Sequence, residues 1–546
     1  MSESAAKTGG QLLVDALKTH GVRQAFCLPG ESYLAVLDAL YDAPEIELTV
    51  CRHEGAAAMM ADAHGKLSGR AGVCLVTRAP GATNASAGLH IAFQDSTPLL
   101  LLIGQVGRQT AEREAFQELD YRRAFSQMAK WVAQIDDATR IPELVSRAFH
   151  TAVNGRPGPV VLALPEDMLT QAKAAPRAMP YQPVEAHPAE VDVERVSELL
   201  AGAARPLAIV GGAGWEPDTC AGFQDFAETF ALPVVSAFRC QDYFDNDHAN
   251  YVGTLGLGVD PRLLRRIEAA DLLLVVGARL GQMTTANYTL LTVPRPDQRL
   301  IHVHPGMEEL GRVYQADLPI NASVRAFVAA LAGRAPAARP TRGELLAASR
   351  REYLEWTQPR RVGGDLELAE VISWLRGQLS DEAIVTNGAG HYSAWVHRFF
   401  RFRRYRTQLA PTAGSMGYGV PAALAAKRLF PHRPAVAFAG DGDFLINGQE
   451  MATAVQYGLD AIVIVVNNAM YGTIRLQQEH RYPGRVIGTE VVNPDFARLA
   501  EAYGAHGEVV TKTEQFPRAF ERAVSAGGPA LIELRVDRAS SRLPAD

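Results

Sequence analysis

Residues 435–473 read AVAFAGDGDFLINGQEMATAVQYGLDAIVIVVNNAMYGT, two apolar runs that each end in a short polar turn. The first run, Ala435 to Ala439, stops at Gly440-Asp441-Gly442-Asp443, and the second, Ala461 to Val466, stops at Asn467-Asn468-Ala469-Met470-Tyr471-Gly472. Runs of this length and composition are those of fully buried parallel strands, and parallel neighbours require a crossover helix between them. A right-handed crossover delivers the carboxyl ends of adjacent strands to one edge of the sheet. Asn468 lies 27 residues after Asp441, so the two side chains are expected to meet there.

Outward from this unit, similar runs recur: Ile46 to Val50, Val73 to Thr77, Leu99 to Ile103 and Val160 to Leu164, then Leu207 to Val210 and Leu272 to Val276, then Ile384 to Thr386. Two Pro- and Ala-rich stretches, about 172–188 and 333–341, divide them into three parts of similar size. The fold class is therefore α/β, with three open parallel-sheet domains over residues 1–180, 190–335 and 360–540. In such sheets ligands sit beyond the carboxyl ends of the strands.

The 546 residues allow several cores, and 47% hydrophobic with 21% charged residues is ordinary for a folded globular chain. The formal charge of −6 gives no field for a polyanion, so nucleic acid is not an expected partner. The most basic stretch, Arg398 to Arg406, places five arginines among aromatic residues and reads as a solvated helix-to-strand turn. Cys27, Cys51, Cys74, Cys220 and Cys240 form no Cys-x-x-Cys pair and read as reduced thiols. No secretion signal or bilayer-length apolar run is evident, so no membrane is expected and the cytoplasm is the expected compartment.

A carboxylate, an amide oxygen and a backbone carbonyl are hard donors suited to magnesium or calcium, and three are too few to close the shell of such an ion. Phosphate or water must supply the rest. Gly440 and Gly442 let backbone approach a ligand closely.

The Gly440-Asp441-Gly442 turn followed by Asn467-Asn468 resembles the thiamine diphosphate motif. The resemblance implies that Asp441, Asn468 and the carbonyl of Met470 hold a magnesium ion bridging the cofactor's diphosphate. It also implies that Gly390, His391, Gly442, Asp443, Tyr471 and Gly472 line that end of the cofactor. Arg52-His53-Glu54-Gly55 is similar to the segment that presents a glutamate to the aminopyrimidine ring, which makes Glu54 the expected catalytic carboxyl. Thr412 to Pro421 resembles the segment beneath the bent cofactor, with Gly414 offering its carbonyl and Met416 wedged between the rings. The three domains become pyrimidine-binding, central and diphosphate-binding.

Gly81 to Asn84, Phe93 to Pro98, Phe116 to Glu118 and Gly155 to Val160 look most like the acetolactate synthase and pyruvate oxidase branch, where Phe93, Gln117, Gly30 and Glu31 would line the substrate pocket. In the middle part, Gly211-Gly212-Ala213-Gly214 follows a strand, but Pro217 stands where a dinucleotide fingerprint needs glycine, which disfavours an NAD enzyme. Acetolactate synthases carry FAD in this domain. The flavin contacts are incomplete here, because His304 occupies a position that is usually acidic, so FAD stays open. Glu31 and Ser32 replace smaller residues facing the substrate, and His391-Tyr392 replaces a Gln-His pair.

The activity implied is decarboxylation of a 2-oxo acid followed by carboligation. The alternatives are a non-synthase decarboxylase or carbon-carbon lyase, and a cofactor-binding structural or regulatory protein without turnover. The resemblance further implies a homodimer with composite sites, paired into a homotetramer. The substrate and any regulatory subunit are left open.

Overall fold

A computed structural model describes residues 5–336 and 342–538. The chain forms two compact units: Met1–Val184 with Ala413–Pro431 and Asn447–Leu459, and Glu185–Thr412 with His432–Ile446 and Asp460–Asp546. The second half of the 333–341 linker, residues 337–341, lies outside the described residues.

The first unit holds a six-stranded sheet of β1 (Gln24–Cys27), β2 (Glu47–Val50), β3 (Gly72–Val76), β4 (Leu99–Gln105), β5 (Trp131–Gln134) and β6 (Pro159–Pro165), in the order β2-β1-β3-β4-β6-β5. Every pairing in it is parallel. β4 and β6 are buried along their whole length, which is why they read as unbroken apolar runs rather than as alternating ones. The 172–188 linker is tied down at its start, where Ala172–Lys173 pairs antiparallel with Lys7–Thr8.

Helix α1 (Glu54–Ser68) follows β2, and α2 (Ala79–Asp95) follows β3. α1 opens with the His53 ring accepting from Gly55 N–H and closes on Gly69 at φ 72°, a left-handed position that suits glycine. Nearly all of α1 is buried, and its alanines allow close approach: a Cβ at Gly88 of α2 would lie 2.5 Å from Ala58 Cβ.

In the second unit the middle part of the chain forms β7 (Pro206–Val210), β8 (Val234–Ser236), β9 (Tyr251–Thr254), β10 (Leu272–Val276), β11 (Arg299–His304) and β12 (Leu318–Asn321), ordered β9-β8-β7-β10-β11-β12. The last part forms β13 (Ile384–Asn387), β14 (Gln408–Leu409), β15 (Ala435–Gly440), β16 (Ile462–Asn467), β17 (His506–Val510) and β18 (Ala530–Arg535), ordered β14-β13-β15-β16-β18-β17. All pairings in both sheets are parallel. In each of the three sheets the strand order reverses in the interior, between β1 and β3, β7 and β10, and β13 and β15, and ligand crevices form at such reversals.

The basic stretch 398–406 is the expected helix-to-strand turn, with Arg403 and Arg404 exposed, but it is less solvated than expected at its start. Arg398 is buried, its guanidinium 3.5 Å from the Trp356 ring centre and its Nε donating to Trp356 O. Arg401 and Arg403 pair with Asp247 at 3.2 and 2.6 Å, and Arg403 also reaches Asp381. Packing against aromatic rings and acids consumes this charge, which alternation of arginine with aromatic residues does not reveal.

Candidate active site

β15 and β16 pair in register from Val436 with Ile462 to Gly440 with Val466, so Asp441 and Asn467-Asn468 emerge side by side at one sheet edge. Asp441 is buried; its Oδ1 accepts from Gly442 N–H at 2.9 Å and its Oδ2 from Asn493 Nδ2 at 2.8 Å. Burial pushes its carboxyl above the usual range, against the pull of the N–H donors of Gly442, Asn493, Ala469 and Met470. Asn493 also donates to Asn467 Oδ1 at 2.8 Å, which ties the two strand ends together. Asn468 Oδ1 accepts from Met470 N–H at 3.2 Å, and Met470 bridges antiparallel to Glu490.

Helix α3 (His391–Phe399) follows β13, α5 (Asp441–Asn447) follows β15 and α6 (Gly472–Arg481) follows β16; α4 (Gly419–Leu429) belongs to the first unit. The three turns before α3, α5 and α6 crowd together. A Cβ on Gly388 would sit 2.3 Å from Asp443 Oδ1, one on Gly442 2.5 Å from Tyr471 Cε1, and one on Gly472 3.3 Å from Asn468 Nδ2 and 3.7 Å from His391 Cβ. Gly388 to His391, Asp441 to Asp443 and Asn468 to Gly472 therefore form one cluster. Its donors are the Asp441 carboxylate, amide oxygens and backbone carbonyls, the second carboxylate, Asp443, being bound by Tyr392 Oη, and among the described residues no group of three His, Cys, Asp or Glu could hold a metal by itself. That set fits an oxygen-seeking ion that takes its remaining ligands from a diphosphate.

In the first unit Glu54 begins α1, is 6% exposed and accepts from Asn84 Nδ2 at 3.0 Å through Oε2. A Cβ on Gly81 would come within 3.2 Å of Glu54 Oε1, so the glycine leaves room at the acid. Gly414 is exposed at φ 68° with open space around its α-carbon, and Met416 is half-buried. The chain just after them is anchored on α1: Tyr418 Oη donates to Asp62 at 2.7 Å, Lys66 joins Asp62 at 2.8 Å and Asp95 at 2.5 Å, and Asn447 donates to Gly417 O at 2.9 Å.

The substrate-pocket residues lie on three separate features of the first unit. Gly30 and exposed Glu31 follow β1, where Gly30 packs on Thr77 and Ser32 Oγ lies 2.9 Å from Thr77 Oγ1. Phe93 lies in α2, with the Arg156 guanidinium 5.2 Å from its ring centre. Gln117, left-handed at φ 63°, receives Ala79 N–H on its carbonyl at 3.1 Å.

Between β7 and β10, the turns that end the two strands pack directly on each other, with open space beside Gly214. A Cβ on Gly212 would be 1.8 Å from Gly277 O, Trp215 Nε1 donates to Gly211 O at 2.9 Å, and Tyr243 Oη donates to Gly212 O at 2.7 Å. Trp215 is 1% exposed and stacks on Tyr243. Arg279, at the end of β10, is engaged with Glu309 at 3.1 Å.

Asn493, Asn84 and Arg239 are site neighbours to which sequence reasoning gave no role, and Tyr392 was noted only as half of the His391-Tyr392 replacement. Asn84 lay in a quoted segment without a role, and Asn493 stands alone in Val492-Asn493-Pro494 with no partner at a telling spacing.

Comparison with known proteins gives three matches in chain order: the N-terminal TPP binding domain of thiamine pyrophosphate enzymes over residues 7–124, their central domain over 193–331, and their C-terminal TPP binding domain over 388–534. The chain is 31% identical to an acetolactate synthase of Arthrospira platensis, with 97% of this chain and 94% of that one covered. It is 30% identical to the acetolactate synthase isozyme 2 large subunit of Escherichia coli, covering 98% and 97%, and 30% identical to the large subunit of Corynebacterium glutamicum, covering 94% and 84%.

Proposed function

Since the chain belongs to the thiamine pyrophosphate enzymes and is acetolactate synthase-like, we propose that it decarboxylates a 2-oxo acid and joins the remaining fragment to a second carbonyl compound. The observation that carries the site assignment is the convergence of Asp441, Asn467, Asn468 and Asn493 at one sheet edge. Asp441, Asn468 and the Met470 carbonyl would hold magnesium. Gly390, His391, Gly442, Tyr471 and Gly472, with the backbone of Asp443, would border the diphosphate. Gly414 and Met416 would support the rings.

Thiamine diphosphate supplies the carbon acid and electron sink when bound. The protein holds and moves a proton: Glu54, fixed by Asn84, would donate a hydrogen bond to the pyrimidine nitrogen and take the proton back. Gly30, Glu31, Phe93 and Gln117 would face the substrate.

The domains would span 1–180, 190–335 and 360–540. Exposed Leu445, Ile446, Tyr471 and Ile474 around the site edge support assembly as a homodimer with composite sites, and as a tetramer built from it. A cytoplasmic location fits five buried cysteines and the absence, among the described residues, of a helix long and apolar enough to cross a membrane.

The test is product analysis with pyruvate and larger 2-oxo acids in thiamine diphosphate and magnesium. A 2-hydroxy-3-oxo acid is expected. Exposed Glu31 favours one second reading, a decarboxylase or lyase, because an acid at the mouth repels a second carboxylate. Aldehyde alone would select that reading.

A further inference from the structure

Asp441 and Asp443 are two carboxylates placed two residues apart at an edge that is read as holding a diphosphate. Both cannot face an anion without cost. The structure turns the second one inward. Asp443 is 3% exposed, Tyr392 Oη donates to its Oδ2, and its carboxylate rests against the bare α-carbon of Gly388. Tyr392 Oη in turn accepts from Gly388 N–H at 2.9 Å. The carbonyl of that same Gly388 accepts from Arg239 Nη2 at 2.8 Å, and Arg239 Nη1 reaches Pro411 O at 2.5 Å.

Arg239 comes from the loop after β8 of the central sheet, is 6% exposed, and adopts φ 62°. A non-glycine residue in that region is strained and persists where its surroundings over-determine it. The two carbonyls it grips belong to the turn leading to Gly390-His391 and to the segment leading to Gly414. A continuous buried chain thus runs from Arg239 through Gly388 and Tyr392 to Asp443, across the β13–β15 reversal.

We propose that Tyr392 is a positioning residue for the diphosphate end of the site: it withdraws the Asp443 carboxylate from the anion-facing edge and locks the Gly388 and Asp441 turns in one register, with Arg239 fixing Gly388 from the other side. The inference rests on the thiamine diphosphate reading above. It assigns a purpose to the tyrosine that stands in place of the family's usual residue, and to a central-domain arginine far away in sequence.

The experiment is calorimetric titration of the full-length protein with thiamine diphosphate at fixed magnesium. Wild-type binding tests the underlying reading first. Tyr392→Phe is expected to weaken binding about tenfold while kcat at saturating cofactor stays within twofold. Adding Asp443→Asn to Tyr392→Phe is expected to restore most of the affinity, since the carboxylate that must be held away is then gone. A residue that merely supported the fold would show no such rescue. Arg239→Lys, which keeps the charge and loses one of the two bonds, is the independent variant: about threefold weaker binding with an unchanged melting temperature is expected. If wild type binds and both single variants bind equally well, or if Asp443→Asn deepens the Tyr392→Phe defect, the positioning role is overturned and the cofactor reading stands. Should Tyr392→Phe not fold, the Arg239→Lys titration decides alone.

Discussion

Asn493 Nδ2 donates to Asp441 Oδ2 across 2.8 Å, joining a turn residue to a loop residue 52 positions later. The same amide satisfies Asn467 Oδ1, so one side chain sets the spacing of two strand ends. Removing it takes this donor from buried Asp441 Oδ2, while half-buried Asn467 Oδ1 keeps the Ala469 N–H, at a cost of about 1–3 kcal/mol. Asn493→Ala is therefore expected to weaken magnesium-dependent thiamine diphosphate binding roughly 5- to 100-fold, read by calorimetry. Binding within twofold of wild type would deny Asn493 this part.

Asp441 is the carboxylate at that edge held by Asn493 and the Gly442 amide rather than by Tyr392. Asp441→Ala is expected to abolish the magnesium dependence of cofactor binding, with affinity falling more than about 100-fold, since a charge-assisted interaction and a cation ligand go together. Titrations with and without magnesium check this, and an unchanged magnesium requirement would place the ion elsewhere.

Glu54 is held by Asn84 and gains space from Gly81. Glu54→Gln is expected to leave secondary structure and cofactor binding in place and to lower kcat by about 10²- to 10⁴-fold, the usual worth of a positioned proton donor and acceptor. Asn84→Ala removes only the orienting bond and is expected to lower kcat by about tenfold. Steady-state rates at saturating cofactor distinguish the two, and full activity in Glu54→Gln would remove this acid from the chemistry.

Stability should change with pH through two opposed buried groups. Burial lowers the imidazoles of His20, His64 and His302 to about 4. Burial also raises Asp242 to about 6, against backbone N–H groups of Gln408 and Thr407. The histidines stay neutral in the fold while the unfolded chain takes up protons below about 6.5, so their contribution is present above that pH and lost as pH falls towards 4. Asp242 keeps its proton in the fold while the unfolded chain releases it, so its contribution is present below about 3.8 and lost as pH rises through 6. Asp242→Asn is thus expected to gain stability relative to wild type as pH rises from 4 to 6, by about 1.4 kcal/mol per pH unit at most. Urea midpoints at pH 4.5, 6 and 7.5 measure it; parallel curves for the two proteins would contradict it.

The core beneath the site depends on tightly packed apolar strands. Ile464 is fully buried in β16, between β15 and β18. Ile464→Ala is expected to cost about 2–5 kcal/mol and to lower the denaturation midpoint while leaving the turn chemistry in place. A cost below about 1 kcal/mol would mean that the sheet collapses around the gap.

What could be read in advance followed from local pattern. Continuous apolar runs located β3, β4, β6, β7, β10, β13, β15 and β16, because a strand buried on both faces leaves no alternation to confuse the eye. The crossover rule brought Asp441 and Asn468 to one edge from a spacing alone. Contacts made by single residues from distant segments left no periodic trace: Asn493 reaches back 52 residues to Asp441, and Arg239 reaches 149 residues forward to Gly388. The arginines of 398–406 misled for a related reason, since their acid partner Asp247 lies about 150 residues away. The bracing of the Gly211–Gly214 turn by Trp215 and Tyr243 likewise needs the fold to be seen.

All five cysteines are buried; burial pushes Cys27 up to about 12 and raises Cys51, Cys74 and Cys220 as well. A thiolate reagent finds almost nothing to attack in such a molecule. Its uptake then meters the moments when the sheets part, giving the protein an intrinsic gauge of breathing that needs no engineered label.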